Sequence, residues 1–189
     1  MHQSSKNRFV FIVPSFILIF IGIYWFSSIP SESDGLVEDV EMLPIDFIGT
    51  DLDGNIFKGV SLKGKTVLLD FWAVWCGPCI TAFPELNRMN TELKSENFEV
   101  IGMTLYSGTV EDIEVITDVH SPNFKILLLD NDEIAIRYNV IGFPTYYLIE
   151  PNGKIYKKYV GKIFFDKIKS DVEEINSKYN DIAELGSQG

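Results

Sequence analysis

Val67-Leu68-Leu69-Asp70-Phe71-Trp72-Ala73-Val74-Trp75-Cys76-Gly77-Pro78-Cys79 is the stretch from which the fold of this chain is read. Val67 to Leu69 are apolar without alternation, the pattern of a strand covered on both faces. The strand runs into two cysteines separated by Gly77 and Pro78, where the chain should turn into a helix. That spacing lets the thiols close a small disulfide ring and reopen it. A helix start directs free backbone N–H groups and a partial positive charge at Cys76, which favours its thiolate. A thiolate is the species that attacks another disulfide. Cys76 therefore reads as nucleophile and Cys79 as the thiol that resolves the mixed disulfide.

Other uses of the pair are weaker. Zinc needs about four ligands, and beyond these cysteines the chain offers only His2 and His120. No metal and no cofactor is expected. A purely structural bridge over so short a loop would restrict the unfolded chain very little.

Working outward, the 189 residues are ample for a single core once a leader is set aside. Aromatics at 13% and hydrophobics at 46% fit a folded domain. The net charge of −11 argues against nucleic acid as a partner, because nothing here could neutralise phosphates.

Phe9 to Ile29 is uncharged and apolar apart from Ser15, Ser27 and Ser28. A helix of that length crosses a hydrocarbon core of roughly 30 Å. Lys6 and Arg8 precede it; Glu32, Asp34, Glu38, Asp39 and Glu41 follow. The positive-inside rule puts the N-terminus in the cytoplasm and the rest outside. A cleaved signal peptide is the competing reading, but bulky Tyr24, Trp25 and Phe26 crowd the only candidate cleavage site. Either way the domain is exported. Residues 30–42 form an acidic, Ser-containing linker spanning roughly 20 Å if flexible.

The domain opens on a short strand at Pro44-Ile45-Asp46-Phe47 and a turn at Asp51-Leu52-Asp53-Gly54-Asn55. After the cysteines, Ile80, Phe83, Leu86, Met89, Asn90 and Leu93 recur at helical spacing, with Pro84 inside. Phe98 to Leu105 reads as a strand. Thr109-Val110-Glu111-Asp112 resembles a capping box for a helix to about Val119. Pro122 to Leu129 is a further strand, and Asp130 should cap a helix reaching Tyr138. Tyr146 to Ile149 and Lys154 to Val160 pair across the turn Pro151-Asn152-Gly153. Phe164, Ile168, Val172 and Ile175 give the inner face of a closing helix, and residues 180–189 lack periodicity.

At Asp70-Phe71-Trp72-Ala73 and Trp75-Cys76-Gly77-Pro78-Cys79 the sequence resembles the thioredoxin superfamily. Gly142-Phe143-Pro144-Thr145 is similar to thioredoxin's Gly-Ile-Pro-Thr. This match implies a cis Phe143–Pro144 bond facing the cysteines and backbone hydrogen bonds to an extended substrate segment. The implied substrate-binding residues are Trp75, Gly77, Pro78, Phe143 and Pro144. The hairpin before the active-site strand resembles the peroxiredoxin-like branch of the superfamily, and the extra helix and strand before the proline motif resemble the TlpA/ResA-like branch. Its members are membrane-anchored, extracytoplasmic thiol-disulfide oxidoreductases. Ala82 departs from that branch, which carries Glu three residues after the second cysteine. Asp70 matches the buried acid of thioredoxin instead, while the lysine neighbouring that acid is replaced by Gly102. Both departures weaken the transfer of cytochrome c maturation as the task.

The expected fold is α/β: a thioredoxin-like mixed central β-sheet flanked by helices, with an N-terminal β-hairpin extension and a βα-type insertion, preceded by one transmembrane helix. Its parts are a cytoplasmic stub and signal-anchor (1–29), a linker (30–42), the thioredoxin-like domain (43–179) and a disordered tail (180–189). The expected activity is reduction of protein disulfides by Cys76 and Cys79 on the extracytoplasmic side. Asp70 would serve as acid-base group, and electrons would come from a membrane donor of the DsbD/CcdA type. An oxidase or isomerase, or a redox-inert binding module using the Phe143–Pro144 groove, are the alternatives. A peroxiredoxin does not fit, since Ala73 stands where its Thr-x-x-Cys setting needs threonine.

Overall fold

The computed structural model describes residues 45–129 and 133–186. The anchor and linker expected over 9–42 lie outside the described residues, as does the capping residue Asp130. Among the described residues no helix is long and apolar enough to cross a membrane.

In chain order the elements are β1 (Ile48–Asp51), β2 (Ile56–Lys58), a 3-10 turn at Gly59–Leu62, β3 (Thr66–Trp72) and α1 (Gly77–Glu92). There follow β4 (Phe98–Thr104), α2 (Val110–His120), β5 (Lys125–Leu128), α3 (Glu133–Arg137), β6 (Thr145–Ile149), β7 (Ile155–Val160) and α4 (Phe165–Gly186). The strands form one mixed sheet in the order β2-β1-β5-β4-β3-β6-β7. β3, β4 and β5 are parallel, and the hairpins β1/β2 and β6/β7 close the edges antiparallel.

β3 lies at the middle of the core and is buried along its whole length, which explains its unbroken apolar run. Leu68 and Trp72 face α1 and α4, meeting Phe83, Leu86 and Met89 of the first and Ile168, Val172 and Ile175 of the second. Val67, Leu69 and Phe71 face the other way, toward Ile134, Ala135 and Tyr138. The period of two places Asp70 on the α1 side, between Leu68 and Trp72.

Local signals carry into the structure. Gly54 takes φ 81°, and the Asp51 carboxylate accepts from the N–H groups of Asp53 and Asn55. Thr109 and Asp112 form the reciprocal capping box of α2. Pro84 lies within α1 on its exposed side.

Other expectations are corrected. The entry strand lies at Ile48–Asp51, not at 44–47, because only there does the chain reach β5. Ile45 and Phe47 instead bury themselves in the second core cluster without joining a ladder. Asn90 belongs to the apolar stripe by spacing alone: its side chain accepts from Val100 N–H and donates to Asn123. At the start of α4, Phe165 takes the inward position and Phe164 is exposed. The segment from Asn180, expected to be disordered, continues α4 to Gly186.

Candidate active site

The sheet delivers β3 to the N-terminus of α1, and the cysteines stand at that junction. Cys76 is the N-cap of α1, with Gly77 and Pro78 exposed in the first turn. Pro at the first turn sacrifices no helical hydrogen bond and fixes φ near its helical value. Cys76 and Cys79 are joined as a disulfide, their Cα atoms 5.3 Å apart. The Cys79 N–H donates to Cys76 Sγ at 3.3 Å, so the helix end presents a donor to that sulfur. Cys76 is 5% exposed and Cys79 fully buried, which leaves Cys76 as the sulfur open to approach.

The Phe143–Pro144 peptide is cis. β6 pairs with β3 in the register Phe71↔Thr145, which brings Pro144 to the end of β3 where the motif begins. The rings of Trp75 and Phe143 meet edge to face at 5.5 Å. Beside them a hollow of about 500 Å³ is lined by Pro78, Ala82, Glu85, Pro144, Tyr146 and Lys162, among others. The short side chain of Ala82 leaves this space open. All five residues expected to bind substrate therefore lie around one redox pair.

Asp70 is 1% exposed, and neither carboxylate oxygen has a hydrogen-bond partner among the described residues. Burial alone pushes its pKa well above the ordinary carboxylate range. Across the sheet its register partners are Gly102 and Tyr146. Gly102 indeed stands where an ammonium would offset the acid, and the space is tight. A Cβ there would lie 2.6 Å from Ile126 Cδ1 and 3.1 Å from Trp72 Nε1. Tyr146 O–H and Trp72 Nε1–H are also buried without partners among the described residues. Burial and then the nearby Asp70 push the Tyr146 hydroxyl's pKa upward.

The loop after β4 joins the site without a motif of its own in the sequence. Ser107 Oγ accepts from Val74 N–H at 3.1 Å, and the Trp75 indole donates to Tyr106 O at 2.8 Å. In the sequence Tyr106-Ser107-Gly108 is only turn chemistry between a strand and a capping box. Its bond to a motif more than thirty residues earlier is a product of the β3/β4 pairing. Among the described residues no three His, Cys, Asp or Glu side chains converge as metal ligands.

A central strand ending in a disulfide at a helix start, with a cis proline beside it, defines a thioredoxin-like thiol-disulfide oxidoreductase. More particularly, the chain belongs to the AhpC/TSA family, whose model matches residues 41–158. It is 27% identical over 183 residues to the thiol-disulfide oxidoreductase ResA of Oceanobacillus iheyensis, covering 94% of either chain. ResA of Bacillus thuringiensis subsp. konkukian is 31% identical over 134 residues, 70% of this chain and 73% of that one. Among solved structures, a Chlorobium tepidum protein assigned as the thiol:disulfide interchange protein DsbE matches with a TM-score of 0.64 at 30% identity. The match covers 69% of this chain and 93% of that one.

Proposed function

We propose that this oxidoreductase works as an extracytoplasmic reductant of protein disulfides, held at the membrane by its Phe9–Ile29 segment and supplied with electrons by a membrane donor of the DsbD/CcdA type. The observation that carries the chemistry is the pairing of a donor-capped, marginally exposed Cys76 with a fully buried Cys79. In the reduced enzyme the Cys76 thiolate attacks one sulfur of the substrate disulfide. The S–S bond of the substrate breaks, a mixed disulfide forms, and the departing substrate thiolate takes a proton. Cys79 then gives up its proton and attacks Cys76 Sγ. The second substrate thiol leaves, and two electrons have passed from the enzyme dithiol to the substrate.

Asp70 is the acceptor for the Cys79 proton in this reading: an acid with a raised pKa, on the sheet face that α1 covers, with no competing hydrogen-bond partner among the described residues. Trp75, Gly77, Pro78, Phe143 and Pro144 frame the extended substrate segment. Gly77 and Pro78 add no positive side chain, so the Cys76 thiolate is stabilised mainly by helix N–H groups. Weak stabilisation of the dithiol form makes it the more reducing. Cytochrome c maturation is the task to which the branch points, and Ala82 is the position that argues against it.

In the full-length chain, Cys79→Ser should accumulate mixed disulfides through Cys76, whereas Cys76→Ser should trap none through Cys79. Equal trapping by both would reverse the roles. Equilibration with glutathione should give a potential nearer to about −270 mV than to about −120 mV; a value at the upper end would make the enzyme an oxidase.

A further inference from the structure

The loop after β4 contributes no sulfur, yet it is fastened to the motif at successive residues. Ser107 is buried; its hydroxyl accepts from Val74 N–H at 3.1 Å and donates to Leu105 O at 3.0 Å. Next to it, Tyr106 O receives the indole N–H of Trp75 at 2.8 Å. Val74 and Trp75 are the turn that carries the chain from β3 to Cys76, so this loop fixes the approach to the reactive sulfur.

Tyr106 itself has φ 52°, in the left-handed region. A bulky residue there carries backbone strain, which persists only where the surroundings over-determine it and which gathers at functional sites. Glycine would meet the same backbone demand without that strain. Nor is the ring placed to fill the core, for Tyr106 is 55% exposed. It lies 6.3 Å from the ring of Phe143, which in turn meets Trp75, itself 64% exposed.

We infer that Tyr106 is a specificity-determining residue: with Trp75 and Phe143 it forms an aromatic rim that takes an apolar side chain next to the disulfide of a polypeptide substrate. Ser107 is the positioning residue that holds this rim. The inference rests on the reading of polypeptide disulfides as substrates. Trp75 is the residue next to Cys76 and its ring meets Phe143, so the rim stands beside the reacting sulfur. Its three members are aromatic and uncharged, which selects an apolar occupant over a charged one.

The test is turnover of the full-length chain with dithiothreitol as electron donor, using insulin as the polypeptide disulfide and glutathione disulfide as the small one. Tyr106→Gly should raise KM for insulin roughly five- to tenfold, with a change for glutathione disulfide several times smaller and a melting temperature that holds or rises. Ser107→Ala should move the insulin KM in the same direction, and Ser107→Thr, which keeps the hydroxyl, should restore it. An unchanged insulin KM in Tyr106→Gly would overturn the proposal. So would equal losses on both substrates with a lowered melting temperature, the signature of a structural ring. A wild-type chain that turns over glutathione disulfide and leaves insulin intact would sink the polypeptide-substrate reading, and the rim with it.

Discussion

Asp70 in β3 and Asp171 in α4 are buried alike, at 1% and 2% exposure, yet they are held in opposite electrostatic states. Burial pushes both pKa values up. At Asp171 that push is more than offset by bonds from Lys167 and Tyr159 and by the charges of Lys157 and Lys167, so its carboxyl stays below the ordinary range. Lys167 Nζ lies 2.7 Å from one oxygen, and Lys157 Nζ is 3.6 Å from the other. At Asp70 no donor among the described residues answers, and the carboxyl is raised well above that range. Depth does not set the charge of a buried acid; the supply of donors does. One acid is a fastening between α4 and β7; the other is the group proposed above as the proton acceptor.

The largest effect that tests this contrast is kinetic. Asp70→Asn should slow resolution of the Cys76 mixed disulfide by about 10²–10⁴-fold, read by quenching the intermediate at successive times. Unchanged resolution would make Asp70 structural. The same variant should stabilise the fold, by an amount that grows with pH. The unfolded carboxyl titrates near about 3.9, and the folded one holds its proton above that. The stabilising contribution of the protonated acid is therefore complete below about 3.9 and is lost as pH rises toward the folded pKa. Urea midpoints of wild type and Asp70→Asn should coincide near pH 3 and separate as pH rises, by about 1–3 kcal/mol at full separation.

Asp171→Asn should do the reverse and by less. Its folded pKa is depressed, so its contribution is present above about 3.9 and disappears as pH falls through the folded value. A cost of about 2 kcal/mol at pH 7 is expected, moderated because both lysines are partly solvated. Turnover should not change. A loss of turnover matching that of Asp70→Asn would erase the contrast.

The smallest effect concerns the space beside Asp70. Gly102→Ala must displace Ile126 Cδ1 and press on Trp72 Nε1, at a cost of about 1–2 kcal/mol in a thermal melt. A neutral result would mean that the gap is wider than its walls imply, with room for a polar partner to the acid.

Much of this was legible because it is written locally. The unbroken apolar run into Cys76, the Thr109/Asp112 box and the Asp51–Asn55 turn each rest on residues within a few positions of one another. Boundaries that depend on distant partners were not. β1 begins where β5 accepts it, and nothing in Pro44 to Phe47 announces that register. The spacing of Phe164, Ile168 and Val172 points equally well to a helix turned by one residue, and only packing against α1 and β7 chose Phe165.

The sequence by itself determined the redox pair, its order of action as an expectation, and the acid beneath, because helix starts and strand periods are properties of neighbouring residues; the cis proline was implied by the likeness of Gly142-Phe143-Pro144-Thr145 to thioredoxin's motif. Tertiary structure alone decided that Asp70 lacks a hydrogen-bond partner among the described residues while Asp171 has three, and that Tyr106 and Ser107 clasp the motif. Hydrogen bonds and desolvation depend on which atoms lie within a few ångströms, and strand pairing brings residues together with no regard for their separation along the chain.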